Sequence, residues 1–464
     1  MKRLCVTLEN REKFSSRIGF ILISAGCAVG LGNVWRFPYI VGKYGGAIFV
    51  AIYLAFLLLL GLPIMVMEFS VGRASQKSVA KSFRLLEPKG TKWHLFSYVA
   101  LGGNYLLMMF YTTVGGWMIA YVFKALSGQL HGIGTQGAQA VFQQLLASPG
   151  SMLFWMVVMV LASFGICSLG LQNGVERITK LMMSSLFVII LILALRSVTL
   201  PGAGEGILFY LVPNVDNIRE QGLINVIFAA MGQAFFTLSI GIGSMSIFGS
   251  YIDKDRSLTG ESLSICLLDT IVALFAGLII FPACSAFGVN PGEGPGLVFV
   301  TLPGIFDKIP LGRLWEVLFF IFMTFAAMST IIAVFENILS FCMDMWGMSR
   351  KKAVLINAVL VTVLSLPCVF GFNLLDFITP LGAGSTIQDL EDFIVSNNLL
   401  PLGSLVFLLF CTRKYGWGWD NFIQEADTGK GLKFPKALRF YVSYILPLVV
   451  LVIFFFGYQQ KFFA

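Results

Sequence analysis

The chain has 464 residues, of which 57% are hydrophobic and only 12% charged, with a formal net charge of +8. Soluble domains carry roughly 25% charged residues, so this composition cannot clothe a water-facing surface, and the mean hydropathy of +0.84 says the same. The reading is an integral membrane protein. The positive balance is a topology signal rather than the footprint of a nucleic acid.

Apolar runs of about 20 residues cross a bilayer as helices, because every backbone polar group must then be satisfied within the segment. Eleven such runs are predicted in chain order, near 18–41, 46–70, 96–126, 152–171, 178–199, 222–251, 260–287, 313–345, 352–371, 388–411 and 438–458. The first is interrupted by glycines, contains Arg36 and is followed at once by a second span, so it reads as mature structure and not as a cleavable leader. Lys and Arg concentrate on one side. With a cytoplasmic N-terminus, the inner segments hold 24 of the 32 cations, six of them between Arg73 and Lys92 and six more between Arg413 and Arg439. That places the C-terminus outside and makes the stretch from Arg413 to Lys436 a cytoplasmic loop. The eight cysteines are scattered, with Cys284 alone expected outside, so no extracellular disulfide is expected. There is no CxxC, no His cluster and no phosphate-binding glycine loop, so enzymatic, redox and ATP-driven roles find no support.

Two of the runs are built to break. The first reads Ile23-Ser24-Ala25-Gly26-Cys27-Ala28-Val29-Gly30-Leu31-Gly32-Asn33, and the sixth reads Phe235-Phe236-Thr237-Leu238-Ser239-Ile240-Gly241-Ile242-Gly243. Each glycine costs about 1 kcal/mol of helix propensity relative to alanine, so clusters favour unwinding. The breaks fall in runs one and six, the same place in two successive five-span halves, which points to a midplane site between repeats. Free carbonyls and hydroxyls at such breaks suit a hard cation, and helix N-terminal N–H groups suit a carboxylate.

The segment Ala25 to Tyr39, followed by Gly45-Gly46-Ala47-Ile48-Phe49, resembles the first-helix signature of the neurotransmitter:sodium symporters, and of their bacterial amino-acid branch in particular. Gly61-Leu62-Pro63, Glu68 to Arg73, the sixth-run break and Ser349-Arg350-Lys351 continue the likeness along nearly the whole chain. The resemblance implies an all-α polytopic protein: one transporter domain of two inverted five-helix repeats, about 14–200 and about 221–411, with helices 1 and 6 broken and an eleventh helix at about 438–458.

It also implies a set of site residues. Sodium one would be held by the Ala28 carbonyl and the side chains of Asn33, Thr237 and Asp269, together with the substrate carboxylate. Sodium two would take the carbonyls of Gly26, Val29 and Ala326 and the hydroxyls of Ser329 and Thr330. The substrate carboxylate would rest on the N–H groups of Leu31 and Gly32 and on the Tyr111 hydroxyl. Its amine would meet the carbonyls of Ala28, Phe236 and Thr237 near Ser239. Leu107, Phe236, Ile242 and Val334 would line the side-chain pocket. Arg36 and Asp392 resemble an outer gate, with Gln233 and Tyr53 beside it, and Arg11, Phe14, Tyr251 and Asp344 resemble an inner one.

Four departures from the family pattern bear on function. Cys27 stands where the bacterial leucine transporter has Asn, Ile242 replaces a Phe, and Ser184 occupies a place where several relatives have Pro. Asp269 sits at an Asn position, with Ala273 where chloride-dependent relatives place a Ser. The expected function is therefore uptake of a hydrophobic or aromatic amino acid across the cell inner (plasma) membrane by alternating access, coupled to sodium at two expected sites and independent of chloride. The rival readings are a sodium-coupled amine transporter and a non-transporting sensor of the same fold.

Overall fold

The computed structural model describes residues 12–214, 221–289 and 295–462. Helix dominates throughout, and among the described residues the only extended pairing is an isolated bridge between Arg256 and Lys430. Among the described residues, nine helices are long and apolar enough to cross a membrane: Ala47–Ser75, Trp93–Ser127, Pro149–Ser168, Leu171–Val198, Leu258–Ala286, Gly312–Trp346, Arg350–Phe370, Ile387–Thr412 and Lys436–Phe462. Span one is a bent pair, Arg17–Ala28 and Gly32–Lys43, with 55° between its halves. Span six is split into Leu223–Thr237 and the short helix Ser244–Gly249. Each predicted run thus has its helix, and the two expected to break are the two that do.

Burial separates an inner bundle from an outer one. The most apolar stretches of spans three and eight are 72% and 67% buried, and that of the last span is 33% buried. Span eight packs against span three, span five and the first half of span one, so the broken helix is clasped by continuous ones. On the outer helices Leu181, Leu355 and Phe455 are well exposed, forming the apolar skin that a bilayer solvates. Backbones approach closely where side chains are small. A Cβ at Gly403 would collide with the backbone of Gly241, which brings span ten directly onto the span-six break. The seven described cysteines are free and buried, and Cys5 lies outside the described residues.

Two features were not predicted. Leu297–Phe306 folds back as a short apolar helix whose Phe299 packs among Trp117, Tyr121, Phe142 and Phe320. The segment after span ten, expected as a plain loop, contains the helix Trp419–Ala426. Its Glu425 pairs with buried Arg73 at 2.7 Å and with Lys254 at 2.8 Å, fastening it to the end of span two.

Candidate functional site

The first half of span one stops at Ala28, because Val29 turns to an extended conformation (φ −68°, ψ 104°). Helix resumes as a wide turn over Gly32–Arg36. In span six the chain leaves the helix after Thr237, passes Ser239, Gly241 and Gly243 at φ values of 50°, 102° and 80°, and re-enters it at Ser244. Positive φ is cheap for glycine and uncommon for other residues, so the two glycines are what permit this path. The N–H of Gly241 donates to the buried carboxylate of Glu68 on span two, which gives the unwound strand a fixed anchor. Ser239 donates to the Cys27 carbonyl at 3.2 Å, so the two breaks face each other.

Between them lies a central space of only about 20 Å³, room for roughly one water. Ala28, Gly30, Gly32, Leu107, Tyr111, Phe236, Ser239 and Thr330 line it, joined by Val395 and Leu400 from span ten. Leu31 contributes its N–H, which donates to the Tyr111 hydroxyl at 2.9 Å. Ile242 and Val334, expected on the pocket wall, are buried but stand outside this lining. The Ile242 carbonyl accepts from Asn104 at 3.0 Å, and its side chain lies beside Gly103.

Two oxygen-rich clusters flank the space. In the first, the Asn33 amide nitrogen lies 3.0 Å from Thr237 Oγ1 and 2.8 Å from Asp269 Oδ1, and the Thr237 hydroxyl donates to Asp269 Oδ2 at 3.0 Å. All three side chains are buried. The Asn33 oxygen instead accepts from the Gly30 N–H at 3.1 Å, so a cation here requires the amide to turn over. In the second, Thr330 Oγ1 lies 3.3–3.4 Å from the carbonyls of Gly26, Cys27, Val29 and Ala326, and Ser329 donates to Ala326 at 3.0 Å. One hydroxyl hydrogen cannot serve four carbonyls. Such a convergence of hard oxygens on unwound backbone is the donor set a Na⁺ ion suits. No group of three or more His, Cys, Asp or Glu occurs among the described residues, so a transition-metal centre has no ligand set there.

The gate residues are placed as follows. The Arg36 guanidinium stacks 4.3 Å over the Phe236 ring, and Asp392 accepts from Ser396 at 2.7 Å. Arg36 forms no ion pair among the described residues, and its Nη1 is buried without a partner. Gln233 donates to the Gly32 carbonyl at 3.1 Å, and Tyr53 is buried against Phe37. A cavity of about 260 Å³ opens beside Arg36. On the opposite side, the Phe14 ring meets Tyr251 edge-on at 5.6 Å, and Asp344 accepts from the Ser78 N–H at 2.8 Å. Arg11 lies outside the described residues. The Tyr251 hydroxyl donates to Glu336 at 2.8 Å, and Arg350 clamps the same carboxylate through two nitrogens at 2.7 and 2.9 Å. Glu336 was missed as a site residue, although a carboxylate inside span eight is the kind of residue that defaults to function.

The family model described as "Sodium:neurotransmitter symporter family" matches residues 11–134 and 135–462. The chain belongs to this family. The symporter is 34% identical to an uncharacterised sodium-dependent transporter, YhdH, of Bacillus subtilis (strain 168), over 95% of this chain and 96% of that one. Identity to the sodium- and chloride-dependent GABA transporter 2 of Mus musculus is 25%, over 97% of this chain and 80% of that one. A crystal structure of MhsT in complex with L-phenylalanine superposes with a TM-score of 0.86 at 38% identity, covering 96% of the symporter and all of the MhsT chain. The symporter is thus a multi-pass, sodium-dependent membrane transporter with no enzymatic role.

Proposed function

We propose that the protein takes up a large hydrophobic amino acid together with two sodium ions, without chloride, from the side on which Arg36 lies. The observation that carries this reading is the crowding at Gly30. A Cβ there would overlap the Tyr111 hydroxyl and come within 2.7 Å of Thr330 Oγ1. The protein has no room for an acidic side chain at this point, so any negative charge beside the first oxygen cluster beyond that of Asp269 is supplied by the substrate's own carboxylate. That carboxylate docks on the N–H groups of Leu31 and Gly32 at the restart of span one, with the Tyr111 hydroxyl beside them. The amine faces the carbonyls of Ala28, Phe236 and Thr237.

Leu107, Phe236, Val395 and Leu400 offer the side chain an apolar wall with no charged partner. A charged side chain left unpaired there costs several kcal/mol. The similar fold of MhsT, solved with L-phenylalanine, supports the same substrate class. Asn33, Thr237 and Asp269 form sodium site one; Gly26, Val29, Ala326, Ser329 and Thr330 form site two. Asp269 brings a fixed negative charge to site one, and Ala273, one turn further along the helix, has no hydroxyl to offer an anion. The excess of cations in the segments joining spans two to three and ten to eleven supports a cytoplasmic N-terminus and an outer C-terminus.

The test is competition for labelled phenylalanine uptake into proteoliposomes under an inward sodium gradient. Tryptophan, tyrosine and leucine should compete, and glutamate, lysine and phenethylamine should not. Equal competition by phenethylamine would overturn the carboxylate argument. Saturable binding with no sodium-driven accumulation would favour a sensor.

A further inference from the structure

The six cations between Arg73 and Lys92 are not disposed alike. Arg73 is buried and paired with Glu425, and Lys77 pairs with Asp344 at 3.5 Å. Lys81 and Arg84 have no ion pair or side-chain hydrogen bond among the described residues. They project from the short helix Val79–Leu86, whose apolar face, Val79, Ala80 and Phe83, is buried against the bundle. Both border a cavity of about 390 Å³, together with Leu85, His94, Tyr98 and Met345. No carboxylate lines it, and the nearby Glu87 is already engaged by His94 at 2.6 Å.

The cavity stands where span two has ended at Ser75, span three begins at Trp93 and span eight finishes at Trp346. On the topology proposed above, that is the inner, cation-rich border of the bilayer. The cavity's lining also includes the apolar Leu85 and Tyr98, which are 59% and 56% exposed.

We propose that this cavity binds the headgroup of an anionic phospholipid, with Lys81 and Arg84 holding the phosphate and Leu85 and Tyr98 lying along the first carbons of an acyl chain. Basic pockets between membrane helices on this side suit phosphate headgroups. The volume falls within the range of small-ligand sites. A soluble anion would leave the apolar wall without a partner. A choline lipid would bring its own cation against two unneutralised ones.

The test is a lipid titration of the full chain in detergent, followed by native mass spectrometry. Phosphatidylglycerol should bind at one site at least tenfold more tightly than phosphatidylcholine. Each cation near such a headgroup contributes about fivefold, so Lys81→Gln with Arg84→Gln should weaken phosphatidylglycerol about thirtyfold. Both side chains are exposed, so the fold should survive, and an unchanged melting temperature checks this. Arg84→Lys keeps the charge and should keep the affinity. Lys351→Gln with Lys352→Gln removes two exposed cations from the start of span nine, outside the cavity, and should change nothing. Equal binding of the two lipids by the wild type, or equal weakening by the span-nine pair, would overturn the proposal. So would displacement of the lipid by millimolar glycerol phosphate, which would make the ligand a soluble phosphate.

Discussion

At the scale of single residues, Gly30 is the most constrained position in the central space, since its missing side chain leaves the room that Tyr111 and Thr330 fill. Gly30→Ala pushes the Tyr111 hydroxyl off the Leu31 N–H, and substrate affinity should fall by more than about tenfold with little loss of melting temperature, measured by equilibrium binding. Asn33→Ala or Thr237→Ala removes an oxygen from the first cluster. The sodium needed for half-saturation should rise about tenfold, and high sodium should partly restore substrate binding, because the two ligands are reciprocally linked. An unchanged sodium curve would falsify that cluster as a cation site. Replacing chloride by gluconate on both sides should leave wild-type uptake intact, while Asp269→Asn should lose uptake or acquire an anion requirement. Asn33, Thr237 and Asp269 were expected from the resemblance to the sodium symporters, and the structure brings the three side chains together. Val395 and Leu400 were not, since their place in the lining follows from how span ten packs and not from any local pattern.

At the scale of elements, the breaks in spans one and six were readable in the glycine clusters, and their geometry explains why glycine is needed. Gly241 combines φ 102° with a backbone contact in which a Cβ would overlap the Leu400 carbonyl. Gly241→Ala should cost more than about 1 kcal/mol from the left-handed backbone alone, with the collision added. A fall in melting temperature together with lost substrate binding would report it. Ser239 sits at φ 50° in the same turn without the benefit of a missing Cβ, held by its bond to Cys27. The helix Trp419–Ala426 escaped sequence reading for a different reason. Eight residues within a stretch rich in glycine and charge look like a solvated loop until Glu425 meets Arg73, 352 positions away in sequence.

At the scale of the whole molecule, hydropathy was enough for the nine continuous spans and the bent first one among the described residues, because the bilayer imposes length and internal hydrogen bonding on each one separately. Leu297–Phe306 was beyond that rule, being too short to cross and buried by an aromatic cluster drawn from four other elements. The clusters beside the central space and the cavity near Arg36 are joined by one side chain. The Phe236 ring lines the central space and also seats the Arg36 guanidinium. Phe236→Leu should therefore change substrate affinity and the rate of outer closure together, and stopped-flow binding would resolve the two.

That shared ring limits how such a protein can diversify. A lineage that adapts to a new nutrient by altering Phe236 also alters the timing of its own transport cycle, so the change carries two consequences of unrelated kinds. Leu107 borders the same space from span three, and on the proposed reading it is a position at which taste can drift while the cycle keeps its pace.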